Sequence, residues 1–85
     1  METRVKELIA IGASITANCQ PCLEYHVAKA RENGAEAEEI KEAIAVGKIV
    51  RKGAAGKMDQ YTSEMFKDTA AIPDAAEKVD GCQLT

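Results

Sequence analysis

Apolar residues recur at helical spacing along most of the chain, and the breaks between stripes mark the elements. Val5, Leu8, Ile9, Gly12 and Ile15 form one stripe, with Arg4, Glu7 and Ser14 off it, which predicts a first helix over Glu2–Ala17. Ile11 broadens the apolar surface beyond one face, pointing to burial on two sides. Asn18 suits caps and left-handed turns and marks the first break. A second helix is predicted from Cys19–Pro21 to about Asn33, with Cys19, Cys22, Leu23, His26 and Ala30 facing inward. Glu24, Lys29, Arg31 and Glu32 take its outer face, and Asn33-Gly34 stops it, because Gly is free to adopt positive φ.

Glu36, Glu38 and Glu39 open a third helix with the charge sign its N-terminus favours. Its stripe is Ile40, Ala43, Ile44, Gly47 and Val50, widened by Val46 and Ile49, and Lys48, Arg51 and Lys52 come toward its end. Gly53-Ala54-Ala55-Gly56 reads as a break or kink, since each mid-helix Gly costs about 1 kcal/mol relative to Ala. A fourth helix is expected over Lys57–Thr69, carrying Met58, Tyr61, Met65 and Phe66. Beyond Ile72-Pro73 the periodicity fades, and residues 72–85 read as a mobile tail. No internal repeat and no strand-like alternation is present, so the expected fold is all-α: one small domain over residues 1–85, of about four helices.

Composition changes this picture in one respect. Aromatic residues are only 4% of the chain and Trp is absent, so Ala, Ile and Val must fill the core. A core of small side chains favours closely packed helices and a subunit interface, and a homo-oligomer is expected. A net charge of −3 and a pI near 5.1 leave no dominant basic surface, which argues against a nucleic-acid partner. The uncharged run Leu8–Ala17 is too short to span a bilayer and no segment reads as a signal peptide, so a reducing cytoplasm and no membrane partner are expected. Three cysteines are an odd number for a structural disulfide framework.

The candidate chemistry lies in Cys19-Gln20-Pro21-Cys22-Leu23-Glu24-Tyr25-His26. Residues three and four apart on a helix are neighbours one turn on, so Cys19, Cys22 and His26 share a face. Such a Cys pair can close a disulfide, bind a metal or remain two thiols, and the His adds a base or a third ligand. Pro21 is tolerated only in the first turn of a helix, which puts the motif at a helix N-terminus, where unpaired N–H groups favour a thiolate. Lys48, Arg51, Lys52 and Lys57 form a basic run that reads as a solvated helix end, the alternative being a patch that steers an anionic substrate or partner, and Cys82 reads as incidental.

With Glu7 upstream the pattern becomes E-x11-C-x2-C-x3-H, flanked by Glu7-Leu8-Ile9-Ala10, by Ala30 and Gly34, and by Glu38-Glu39-Ile40. This resembles the carboxymuconolactone decarboxylase family, and within it the alkyl hydroperoxidase D-like branch, over about Val5–Val50. The resemblance implies an all-α fold that assembles into oligomers, with a trimer or hexamer expected and a dimer also fitting, and a thiol-dependent peroxidase or disulfide oxidoreductase with no cofactor. It implies that Cys22 is the peroxidatic nucleophile and Cys19 the resolving thiol, closing a disulfide with it. Glu7 and His26 would relay the proton. The implied partners are a peroxide or disulfide substrate and a dithiol reductant of dihydrolipoyl or thioredoxin type. One position departs from the pattern: Pro21 stands where the family's peroxidase has a second His, so part of that relay is missing. The decarboxylase branch generally lacks the CxxC, which turns the expectation away from lactone decarboxylation.

Two other readings compete. One is a structural or regulatory zinc-binding oligomer, with Cys19, Cys22 and His26 as ligands and Cys82 as a fourth. The other is a non-catalytic assembly module of the same fold.

Overall fold

The computed structural model describes residues 1–67, and the expectations for Thr69, for the tail over residues 72–85 and for Cys82 lie outside them. Three helices account for most of that length: α1 (Thr3–Thr16), α2 (Gln20–Glu32) and α3 (Ala37–Met65). The all-α class is confirmed, and no strand occurs among the described residues. No helix among them is long and apolar enough to cross a membrane.

Both breaks around α2 are built by the backbone chemistry that the sequence signals. At the end of α1, Asn18 takes φ 57°. The Asn18 N–H donates to the Ile15 carbonyl (3.1 Å) and the Cys19 N–H to the Ser14 carbonyl (3.0 Å). This paired closure satisfies carbonyls that the last turn would otherwise leave open. The end of α2 repeats it with Gly34 at φ 93°, where Gly34 N–H reaches Arg31 (3.1 Å) and Ala35 N–H reaches Ala30 (2.9 Å). Ala30 and Ala35 are both buried, so the second closure also carries the apolar contact that accompanies such caps.

The chain divides into two units between Ala55 and Gly56. In the first, Ile11, Ala30, Ala35 and Ile40 form the core, with Leu8, Leu23, Val27, Ala43 and Ile44 packed against it. Ile11 is fully buried, a contribution of about 1.5–3 kcal/mol for a side chain of this class. The expected phase of α1 is therefore rotated: Ile11 is the centre of the inward face, and Ile9, placed on the stripe, is 57% exposed. Arg4, Glu7 and Ser14 turn inward rather than away, because each has a partner there. Arg4 Nη1 donates to Glu39 (2.6 Å), Glu7 accepts from His26, and buried Ser14 donates its hydroxyl back to the Ala10 carbonyl (2.7 Å).

α1 and the first half of α3 meet backbone to backbone. A Cβ placed on Gly47 would stand 2.5 Å from the Gly12 carbonyl oxygen and 2.7 Å from Ile15 Cβ. Thr16 Oγ1 fastens the same seam by donating toward the Gly12 carbonyl (3.0 Å) and the Gly47 carbonyl (3.3 Å). The start of α3 is capped from within: Glu39 Oε1 accepts the Glu36 N–H at 3.0 Å.

The break expected at Gly53–Gly56 does not occur, and neither does a separate fourth helix: α3 is continuous to Met65. Extending a formed helix requires only propagation, and Ala54 and Ala55, of the strongest helix-forming type, lie between the two glycines. Among the described residues, nothing lies within 4 Å of where a Cβ on Gly53 or Gly56 would be, so these glycines serve no close approach there. In the second unit, Met58, Tyr61, Met65 and Phe66 are exposed, and Lys67 pairs with Glu64 (3.1 Å).

Candidate functional site: a dithiol at the start of α2

Cys19 belongs to two elements at once. Its N–H closes α1, while its side chain is the N-cap of α2, with extended backbone (φ −107°, ψ 99°). Cys19 Sγ accepts the Cys22 N–H at 3.3 Å, the role an oxygen plays in an ordinary N-cap. Pro21 lies in the first turn, where its missing N–H costs nothing. Cys19 is therefore not a member of a regular helical stripe, and its extended backbone lets it turn toward Cys22. The two sulfurs are bonded, with Cα atoms 5.3 Å apart. Cys19 is half-buried and Cys22 exposed, so the expectation that the whole motif faces inward holds only in part.

His26 follows one turn after Cys22 on α2, and Glu7 reaches it from α1. His26 Nδ1 stands 2.6 Å from Glu7 Oε1, with both side chains largely covered. An ionised carboxylate only accepts, so Nδ1 carries the hydrogen in this pair, and the neutral ring keeps its lone pair on Nε2. The exposed Tyr25 ring meets His26 edge-on with centroids 5.0 Å apart. Lys29 Nζ lies 5.7 Å from the Tyr25 ring centroid. The sequence-derived quartet thus resolves into two bonded pairs, Cys19–Cys22 and Glu7–His26, each with one member on α2.

Beside the disulfide is a cleft of about 180 Å³, lined in part by Ser14, Asn18, Cys19, Gln20, Leu23 and Arg51. Arg51 is half-buried, which departs from the expected solvated basic end; Lys48, Lys52 and Lys57 are exposed as expected. Arg51 Nη1 donates to Asn18 Oδ1 (2.8 Å) and to the Ile15 carbonyl (3.3 Å). A cation on the last turn of α1 is favoured by the helix dipole. No local signal distinguishes Arg51 from its lysine neighbours; only the docking of α3 on the α1–α2 corner does so.

For the zinc alternative, among the described residues no three His, Cys, Asp or Glu side chains converge as metal ligands would. The two sulfurs are engaged with each other and His26 Nδ1 with Glu7.

The chain matches the carboxymuconolactone decarboxylase family over residues 1–57, and it belongs to that family. It is also 44% identical over 55 residues, 65% of its length, to "Uncharacterized protein 4 in cox locus" of Paracoccus denitrificans. It spans about half the length of that relative, the aligned part being 50% of it. No solved structure matches.

Proposed function

From that membership we propose that the protein is a dithiol oxidoreductase of the alkyl hydroperoxidase D-like kind, with Cys22 as nucleophile, Cys19 as resolving thiol and His26–Glu7 as proton relay. The observation that carries this reading is the Glu7–His26 bond set one helical turn from a closed Cys19–Cys22 pair. A free thiol is mostly protonated at neutral pH, so it needs a nearby base to react. In the reduced form, His26 Nε2 takes the proton of the Cys22 thiol, and the Glu7 carboxylate holds the resulting imidazolium, as the third group of a triad does.

With a hydroperoxide, the Cys22 thiolate attacks the distal oxygen and breaks the O–O bond. Cys22 becomes a sulfenic acid, and the alcohol leaves with the proton returned from His26. Cys19 then attacks the Cys22 sulfur, its own proton goes to the departing hydroxide, and water leaves as the disulfide closes. The sum is one hydroperoxide and two thiols giving one alcohol, one water and one disulfide. With a disulfide substrate the same thiolate attacks sulfur instead of oxygen. Pro21 withdraws one relay group of the family pattern, so we expect modest peroxide turnover and better disulfide exchange.

The test compares peroxide consumption with dihydrolipoamide, a thioredoxin-type and a glutathione-type reductant, and measures exchange with a low-molecular-weight disulfide in parallel. Turnover lost on Cys22→Ser and supported by a dithiol is the expected result. Full activity in that variant would overturn the assignment.

The same reading includes a homo-oligomer. An apolar groove of about 450 Å³ runs between α1 and the first half of α3, and Val5, Ile9, Val46 and Val50 are among its lining residues. Ile9 and Val46 are each 57% exposed in the single chain. A second copy seated there removes apolar surface from water at about 25 cal/mol per Å². Sedimentation at micromolar concentration should give a trimer or hexamer, and a stable monomer would exclude it.

A further inference from the structure

Arg51 is a guanidinium with a fixed position and unused donors. Of its five N–H groups, those on Nη1 serve Asn18 and the Ile15 carbonyl, and no acceptor among the described residues meets the remaining nitrogens. It lines the cleft that Cys19 also lines, and among the described residues no carboxylate lines that cleft and Arg51 is the one formally charged side chain there. The first turn of α2 opens at the same place, adding the positive end of a helix dipole. A planar fork with donors to spare suits a carboxylate.

Resting on the dithiol reading above, we infer that this cleft seats the carboxylate of a low-molecular-weight thiol that reduces the Cys19–Cys22 disulfide, with Arg51 as its ligand. The location decides between reductant and peroxide. A peroxide must meet Cys22, which is exposed and one turn from His26, whereas a molecule in the cleft meets Cys19. The thiolate of the reductant attacks Cys19 Sγ; the Cys19–Cys22 bond breaks, and its electron pair leaves on Cys22 Sγ beside His26. A mixed disulfide now joins the reductant to Cys19. A second thiolate attacks the reductant's sulfur in that bond, and the Cys19 thiolate leaves onto the Cys22 N–H that already points at it. Two thiols have become one disulfide, and the protein holds two reduced cysteines.

The test uses the oxidised full chain and two probes, 3-mercaptopropionate and 2-mercaptoethanol. Rates of opening are followed by alkylation and the mass of the peptide containing Cys19 and Cys22, and are normalised to thiolate concentration and nucleophilicity. The wild-type ratio of anionic to neutral rates should be about 10 at low ionic strength and should fall as salt is added. Arg51→Gln should bring the ratio close to one, and Arg51→Lys should retain part of it. A wild-type ratio near one, or one that survives Arg51→Gln, overturns the inference while leaving the dithiol reading intact. If Arg51→Gln does not fold, the wild-type salt dependence decides: a flat ratio overturns the inference and a falling one supports it. Failure of both monothiols to open a disulfide that dihydrolipoamide opens would overturn the inference alone, and failure of dihydrolipoamide as well would remove the dithiol reading on which it rests.

Discussion

Two contacts made by α1 are of opposite kinds. Against α2 it presents Glu7, a side chain that reaches across to grip another side chain, His26, at 2.6 Å. Against α3 it presents Gly12, and contact is made through the lack of a side chain, with the Gly12 carbonyl oxygen 2.5 Å from where a Gly47 Cβ would stand. The first contact is polar and partly open; the second is closed and made of backbone. Chemistry is therefore expected to be sensitive on one side of α1 and stability on the other.

The sharpest way to break that division is at the polar side. His26→Ala removes the proposed proton acceptor and should lower activity toward both peroxide and disulfide by about 10²–10⁴-fold. Thermal unfolding of the same variant should move far less, and wild-type rates would make His26 a packing residue instead. Cys82→Ser, by comparison, should leave those rates near wild type. Glu7→Gln keeps the shape but not the charge proposed to hold the imidazolium. We expect an activity loss of about 10–100-fold, smaller than that of His26→Ala, read from the same paired assays.

The seam with α3 should answer in the other currency. Gly47→Ala drives a methyl group into a backbone carbonyl and should destabilise by about 1–3 kcal/mol, measured by denaturant unfolding. Residual activity per folded molecule should stay close to wild type. A Gly47→Ala protein as stable as the parent would mean that the two helices do not meet at this distance.

The smallest effect is expected at Glu39, which joins α3 to α1. The Glu36 N–H, and then the Arg4 guanidinium, hold its carboxyl below the ordinary carboxylate range, more than its desolvation raises it. The folded form thus binds that proton more weakly than the unfolded chain does. Its contribution is fully present above the unfolded value of about 4.3 and is lost as pH falls through the lower folded value. The stability gap between wild type and Glu39→Gln should accordingly narrow on acidification, and a gap that widened would reverse the assignment. Because the pair is near the surface, added salt should also shrink it.

What the sequence disclosed and what it withheld follow the same division. Asn18 and Gly34 could be read as helix ends because a left-handed backbone restricts residue type locally. Cys19, Cys22 and His26 could be read together because their spacing is short. Glu7 could not be found locally: a carboxylate between Lys6 and Leu8 has no nearby reason to turn inward, and only the resemblance singled it out. The phase of α1 was hidden for a related reason. Periodicity penalises polar residues on an inward face, yet Arg4, Glu7 and Ser14 are all satisfied there by partners that are distant in sequence or on the backbone. Arg51 was withheld because its neighbours Lys48 and Lys52 carry the same charge and only one of the three meets the α1–α2 corner. At Gly53–Gly56 the penalty for glycine counts residue by residue, whereas helix extension is cooperative over the whole segment.

The double duty of Cys19 makes one backbone amide a reporter of oxidation state. The Cys22 N–H has the Cys19 sulfur as its acceptor, and that sulfur is neutral when bonded and anionic when released as a thiolate. An anionic acceptor holds a hydrogen about twice as strongly as a neutral one. Hydrogen–deuterium exchange at the Cys22 amide is therefore expected to slow on reduction at a pH where Cys19 is ionised, and to quicken again as that thiolate is protonated. The start of α2 would be held more firmly in the reduced protein than in the oxidised one, although reduction removes a covalent link.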